Sequence, residues 1–159
     1  MRPAIEYVAW ADDAFLQQLA DHPEAALTAP CLEGTWTVGG LVLHILGGAE
    51  WYQYCLAKAM WSEFTPPTTH AELATVRARL AEVNATLVAQ ADLPDEVVEF
   101  DDENGPRSAL RSVLLTQAIV HSVEHRAHIV MGLEAAGYRG IDLDHLSAWG
   151  FQAHLREQG

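Results

Sequence analysis

The stretch LLTQAIVHSVEHRAHIVMG, residues 114–132, decides how the chain is read. At about 3.6 residues per turn, His121, His125 and His128 fall within roughly 60° of one another on a helix, and Leu114 and Gly132 extend the same stripe. Three imidazoles therefore share one face. Val113, Val120, Ile129 and Met131 flank that face, which predicts an apolar setting for the histidines. The other side carries Leu115, Ile119, Val123 and Val130, so this helix, expected over 109–136 with Gly137 at its C-cap, is apolar almost all the way round. A four-helix core alone leaves that back face bare. Either the C-terminal segment, with Ile141, Leu143, Leu146, Trp149, Phe151 and Leu155, or a second copy of the chain is expected to cover it.

Working outward, VGGLVLHILGGAEWYQYCLAKAM, residues 38–60, reads as another helix, with Thr37 as its N-cap. Gly40, His44, Gly48, Trp51 and Cys55 project within about 40° of His44. Each glycine costs a helix about 1 kcal/mol relative to alanine, so Gly40 and Gly48, one turn either side of a histidine, point to close approach by another element. The competing reading is a kink at Gly47-Gly48. Ahead of this, residues 4–20 carry Ile5, Val8, Phe15, Leu16 and Leu19 at helical spacing, ended by His22-Pro23. Residues 21–36, with Pro23, Pro30 and Gly34, form a loop. After the loop 61–68, the capping box Thr69-His70-Ala71-Glu72 opens a helix over 70–91, with a stripe of Leu73, Val76, Leu80, Val83 and Leu87. Leu93-Pro94 ends it. Residues 96–109, EVVEFDDENGPRSA, predict a short hairpin or ordered loop, and residues 144–157 a last short helix. The fold class is all-α: a four-helix bundle in a single domain, 1–159.

Composition narrows the function. The net charge of −13, from 9 basic and 22 acidic residues with no lysine or arginine cluster, excludes a nucleic-acid partner. Apolar runs stop short of the ~20 residues a membrane span needs. The start MRPAIEYVAW carries Glu6 and lacks a signal-peptide pattern, so a cytoplasmic protein is expected. Cys31 and Cys55 are expected as reduced thiols, with Cys55 buried rather than nucleophilic. The four acids within Glu99–Glu103 read as a solvated turn.

Neutral imidazole is the commonest zinc ligand and also suits nickel or iron. Two histidines at i and i+4 on one helix reach one ion while a third arrives from elsewhere. His121 and His125 are that pair, His125 and His128 are an acceptable second one, and His44 is the best outside donor. A hydrogen-bonded structural cluster of histidines is the competing reading, although it leaves several buried polar groups to satisfy.

These residues resemble a known family. TWTVGGLVLHI, residues 35–45, is similar to the helix-two signature of the DinB/YfiT-like metalloenzymes, whose superfamily includes the N-terminal domains of mycothiol-dependent maleylpyruvate isomerases. HSVEHRAHI, residues 121–129, resembles their His-x-x-x-His motif followed by Arg, a small residue and usually Gln. The tail from Gly137-Tyr138 to IDLDHLSAWGF is similar to actinobacterial-type members. The resemblance implies an up-down-down-up bundle, commonly a homodimer, with one divalent metal, zinc or nickel, held by His44, His121 and His125. His128, where the family usually has Gln, is then either a fourth ligand that closes the site or a neighbour of a ligand.

The resemblance further implies a small-molecule substrate and one of two activities. One is transfer of a low-molecular-weight thiol such as mycothiol or bacillithiol; the other is hydrolysis by metal-activated water. Glu124, beside His125, is the candidate base or the group that orients an imidazole, against the plainer reading of a surface charge. Arg126 points to the far side of its helix and is expected to be structural or at an interface. Trp36, Trp51 and Trp61, with Tyr52 and Tyr54, are candidates for a pocket above His44 or for core. His22, His70, His145 and His154 are expected to be solvent-exposed. The competing classes are a non-catalytic, stress-associated metal-binding protein acting through its dimer surface, and a metal-free bundle that binds a small apolar ligand.

Overall fold

A computed structural model describes residues 1–32 and 35–159. Five α-helices dominate: α1 (Arg2–Ala20), α2 (Val38–Ala57), α3 (His70–Gln90), α4 (Arg111–Ala135) and α5 (Ala148–Glu157). Two small antiparallel hairpins accompany them, β1 (Pro30–Cys31) with β2 (Trp36–Thr37), and β3 (Val97–Asp102) with β4 (Gly105–Leu110). The fold is thus mostly helical with short strands added. Among the described residues no helix is long and apolar enough to cross a membrane.

Local chemistry sets the helix ends. Thr37 caps α2 by accepting from the Gly40 N–H at 3.0 Å, and Thr69 with Glu72 forms the complete capping box of α3. Gly137, at φ 90°, turns the chain after α4, and the Tyr138 N–H returns to the Leu133 carbonyl. The first turn of α4 is capped from a distance: Asp95 accepts from both the N–H and the hydroxyl of Ser112, each at 2.8 Å. Helix α2 stops at Ala57 rather than Met60, because Lys58 adopts a left-handed conformation, φ 56°. The carboxylate of Glu50 then holds the departing chain by accepting from the Ser62 N–H and hydroxyl, and it pairs with Arg79 at 2.8 Å. The last helix begins at Ala148, capped by Ser147, and not at residue 144.

Helices α1 and α2 each pack on both α3 and α4, and the core between them holds Phe15, Leu16, Leu41, Leu46, Leu73, Leu115, Ile129 and Leu133. A buried polar group crosses this core. Asp12 of α1 and Arg126 of α4, 3% and 2% exposed, pair at 2.8 Å, while Ser122 and Asn84 donate to the same carboxylate. Burial pushes the Asp12 carboxyl up, against the opposing pull of Arg126 and of the two donors Ser122 and Asn84. Arg126 is therefore structural, and it bolts α4 to α1.

The C-terminal segment covers part of the back face of α4, with Tyr138 and Ile141 gathered about the buried Val130, while Val123 stays 40% exposed. Leu115 is buried as well, and β1 lies against the histidine-side stripe at the C-terminal end of the helix: a Cβ at Gly132 would stand 2.1 Å from the Cys31 sulfur. Tyr138, Ile141 and Leu143 pack on the core, whereas α5 goes to α1 and sets Phe151 against Tyr7 and Trp10. Gly34, one of the loop signals, lies outside the described residues.

Candidate metal centre

The histidines meet at the seam between α2 and α4. His44 projects from α2, and His121 and His125 lie one turn apart on α4. Gly48 makes the meeting possible. A Cβ there would stand 2.3 Å from Cε1 and 2.6 Å from Nδ1 of His121, so only a bare backbone lets that ring lie against α2. Close approach, rather than a kink, accounts for this glycine. Gly47 faces open space, with nothing within 4 Å of an added Cβ.

Across the seam, Nε2 of His44 and Nε2 of His121 are 3.2 Å apart, and one nitrogen from each of His44, His121 and His125 lies within 4.8 Å of the others. Among the described residues this is the one group of three or more histidine, cysteine or acidic side chains so gathered. Two nitrogens bonded at 2.0–2.1 Å to one tetrahedral ion would be about 3.3 Å apart, so the His44–His121 spacing fits a shared ion. Protonation is disfavoured here. Burial first, then the neighbouring His125 and His44, lower His121 to about 4, and burial with His44 lowers His125 as well. His121 and His125 are thereby favoured in the neutral form a metal requires. Tyr52, itself buried, packs edge-on to His121 at 6.2 Å between ring centres.

His128 stands outside this group. Its Nδ1 faces Nδ1 of His125 at 3.4 Å, a contact in which one ring donates to the other. Glu124 is exposed on the outer side of α4, and its charge raises the proton affinity of His125. Arg126, four residues after Ser122, takes no part in the seam. His22, His70, His145 and His154 lie elsewhere; His154 packs on Trp10 and His22 on Tyr138. The thiols are buried and disfavour ionisation. Burial pushes Cys55 up to about 11 and raises Cys31, and neither is paired.

Two expectations need correction. The histidine face is half-buried, not enclosed by apolar flanks: Ile129 is buried, but Val113, Val120 and Met131 are 55%, 48% and 67% exposed. The ligand candidates come from two helices, and Trp36 of β2 lies against His44. The aromatic residues also divide. Trp36 stacks toward His44, with ring centres 5.1 Å apart, whereas Trp51, Tyr54 and Trp61 cluster with one another and Trp51 meets Phe100 on β3.

Beside His44 lies a groove of about 490 Å³, walled by Trp36, Leu43 and Pro66 and floored by Gly40, His44 and Gly47. Those three floor positions fall at i, i+4 and i+7 on α2, so one face of the helix presents an imidazole between two bare backbone patches. The sequence reading missed Leu43, Pro66 and the role of Gly47. The i, i+4, i+7 spacing of the glycines about His44 was the signal that could have found the floor.

A model of the DinB family matches residues 3–153. The chain belongs to the DinB family. Among curated proteins and among solved structures, none matches it. For this DinB chain, family membership and the His44–His121–His125 geometry agree on a histidine triad able to hold a divalent metal.

Proposed function

We propose that this DinB protein is a metal-dependent enzyme that transfers a low-molecular-weight thiol to a small-molecule acceptor, with zinc or nickel at His44, His121 and His125. The observation that carries the reading is the 3.2 Å spacing of the His44 and His121 nitrogens beside an open groove. When bound, such an ion lowers the pKa of a thiol or water and so supplies a nucleophile near neutral pH. The protein's own thiols support an external one, because both are buried and held protonated.

The chain's residues have separable tasks. His44, His121 and His125 donate neutral nitrogens. His128, whose Nδ1 lies 3.4 Å from Nδ1 of His125, would orient that ring rather than serve as a ligand. Glu124 is the proposed acceptor for the proton released when the thiol ionises, since it is exposed and electrostatically coupled to His125. The groove beside His44 receives the acceptor.

Elemental analysis of tag-free, chelator-free protein tests this reading. About one zinc or nickel per chain is expected, lost in His44→Ala, His121→Ala and His125→Ala and kept in His128→Ala with affinity lowered about tenfold. Metal-loaded protein is then expected to conjugate a thiol to an electrophile, with Glu124→Gln slower by ~10²-fold or more. No metal, and no uptake of added zinc or nickel, would sink the proposal. Water consumed in place of thiol would make the protein a hydrolase, and bound metal with neither reaction would leave a non-catalytic metal-binding protein.

A further inference from the structure

We propose that the groove beside His44 takes an uncharged, flat apolar group as the body of the substrate and discriminates against anionic ones. The inference rests on reading His44, His121 and His125 as a metal centre only in calling the occupant a substrate; the groove itself is a feature of the fold.

Charge is the first argument. An indole, a leucine and a proline wall the groove together with Thr35 and Thr37, and no lysine or arginine lines it among the described residues. The basic residues are committed elsewhere. Arg2, Arg77, Arg79, Arg107 and Arg126 pair with Glu6, Asp13, Glu50, Asp102 and Asp12. Lys58 donates to the Glu99 carbonyl at 2.6 Å, and Arg111 to that of Pro94 at 3.0 Å. Arg139 lines a separate cavity with His22 and Tyr138, and Arg156 sits in the last turn of α5. An ion at the histidines would draw an anion only to itself; a carboxylate lodged farther along the groove, on a chain of net charge −13, would lose hydration and find no basic side chain.

Shape is the second. Trp36 leans toward the His44 ring and still exposes 38% of its surface, so it offers an apolar face beside the imidazole. Gly40 and Gly47 keep the floor flat: a side chain at Gly47 would project into open space. A volume of about 490 Å³ suits a substituted ring, and the walls reward its apolar area. The one side chain there with a well-defined hydrogen-bond role, the Thr37 hydroxyl, already accepts from the Gly40 N–H.

A matched pair of probes tests this: benzyl mercaptan and 4-(mercaptomethyl)benzoate, which differ by one carboxylate. Each is titrated into metal-free and zinc-loaded protein, followed through the Leu43 methyl and Trp36 indole N–H resonances. Benzyl mercaptan is expected to shift both and to bind about tenfold or more tightly than the benzoate. Gly47→Lys, whose side chain meets no obstacle, is expected to narrow or reverse that preference. Equal or tighter binding of the benzoate to the unmodified protein, or no shift of either resonance with either probe, would overturn the inference. Failure to take up zinc, with the preference intact in metal-free protein, would count against the metal-centre reading alone.

Discussion

A methyl group has no room at Gly48, yet its obstacle is the end of a rotatable side chain, the His121 ring. Gly48→Ala should therefore gain helix propensity of up to ~1 kcal/mol while forcing His121 off the seam. The expected outcome is a thermal midpoint equal to or above the unmodified protein's, with zinc affinity down at least about tenfold by competition with a chromophoric chelator. Retained affinity would show that His121 does not need this position. His121 also gives the metal-free protein a pH signature. It sits at about 4 in the folded chain, because burial and His125 and His44 oppose its charge, against 6.5 when unfolded. Between these values the unfolded chain binds the proton and the folded chain does not, so stability falls as pH drops from about 6.5 toward 4. Urea midpoints of metal-free protein should decline over that window, and His121→Asn should decline less. Parallel profiles for the two proteins would contradict the assignment.

At the scale of elements, the relation of α4 to its neighbours is fixed by residues interleaved with the candidate ligands. Ser122 follows His121, Arg126 follows His125, and both reach Asp12 on α1 from the buried side of the helix. The bolt on one side sets the rotation that presents the histidines on the other. Arg126→Met leaves Asp12 without its cation in a site that already disfavours the carboxylate. A loss of about 3–5 kcal/mol in urea unfolding is expected; a loss below ~1 kcal/mol would show that the pair adds nothing net. Helix existence, the Thr37 and Thr69 caps and the segment ahead of α4 were legible in sequence, because capping and amphipathic spacing are local. The β1–β2 hairpin was not. Two residues per strand leave no alternation to read, and the pairing owes its place to packing on α4 at Gly132.

Across the whole molecule, an apolar stripe of α4 remains at the surface. Val113, Val120 and Met131, which flank the histidine face, are each at least 48% exposed. We propose this face as the contact of the homodimer that family resemblance implies. Sedimentation at micromolar concentration should find a dimer for the unmodified chain and a monomer for Val120→Glu, with the helical circular dichroism unchanged. A monomeric unmodified chain would rule the contact out.

By itself the sequence determined the helices, their caps and the phase of the histidines on α4, since each depends on neighbours within one or two turns. It also determined that His44 belongs with bare glycines, though not which glycine serves which purpose. The tertiary structure decided that His44, 77 residues from His121, reaches that ring while His128 turns to His125. It decided that Trp36 joins the groove and Trp51 does not. Those outcomes depend on the rotation and approach of helices distant in sequence, which side-chain volume and the Asp12–Arg126 pair set and no local pattern records.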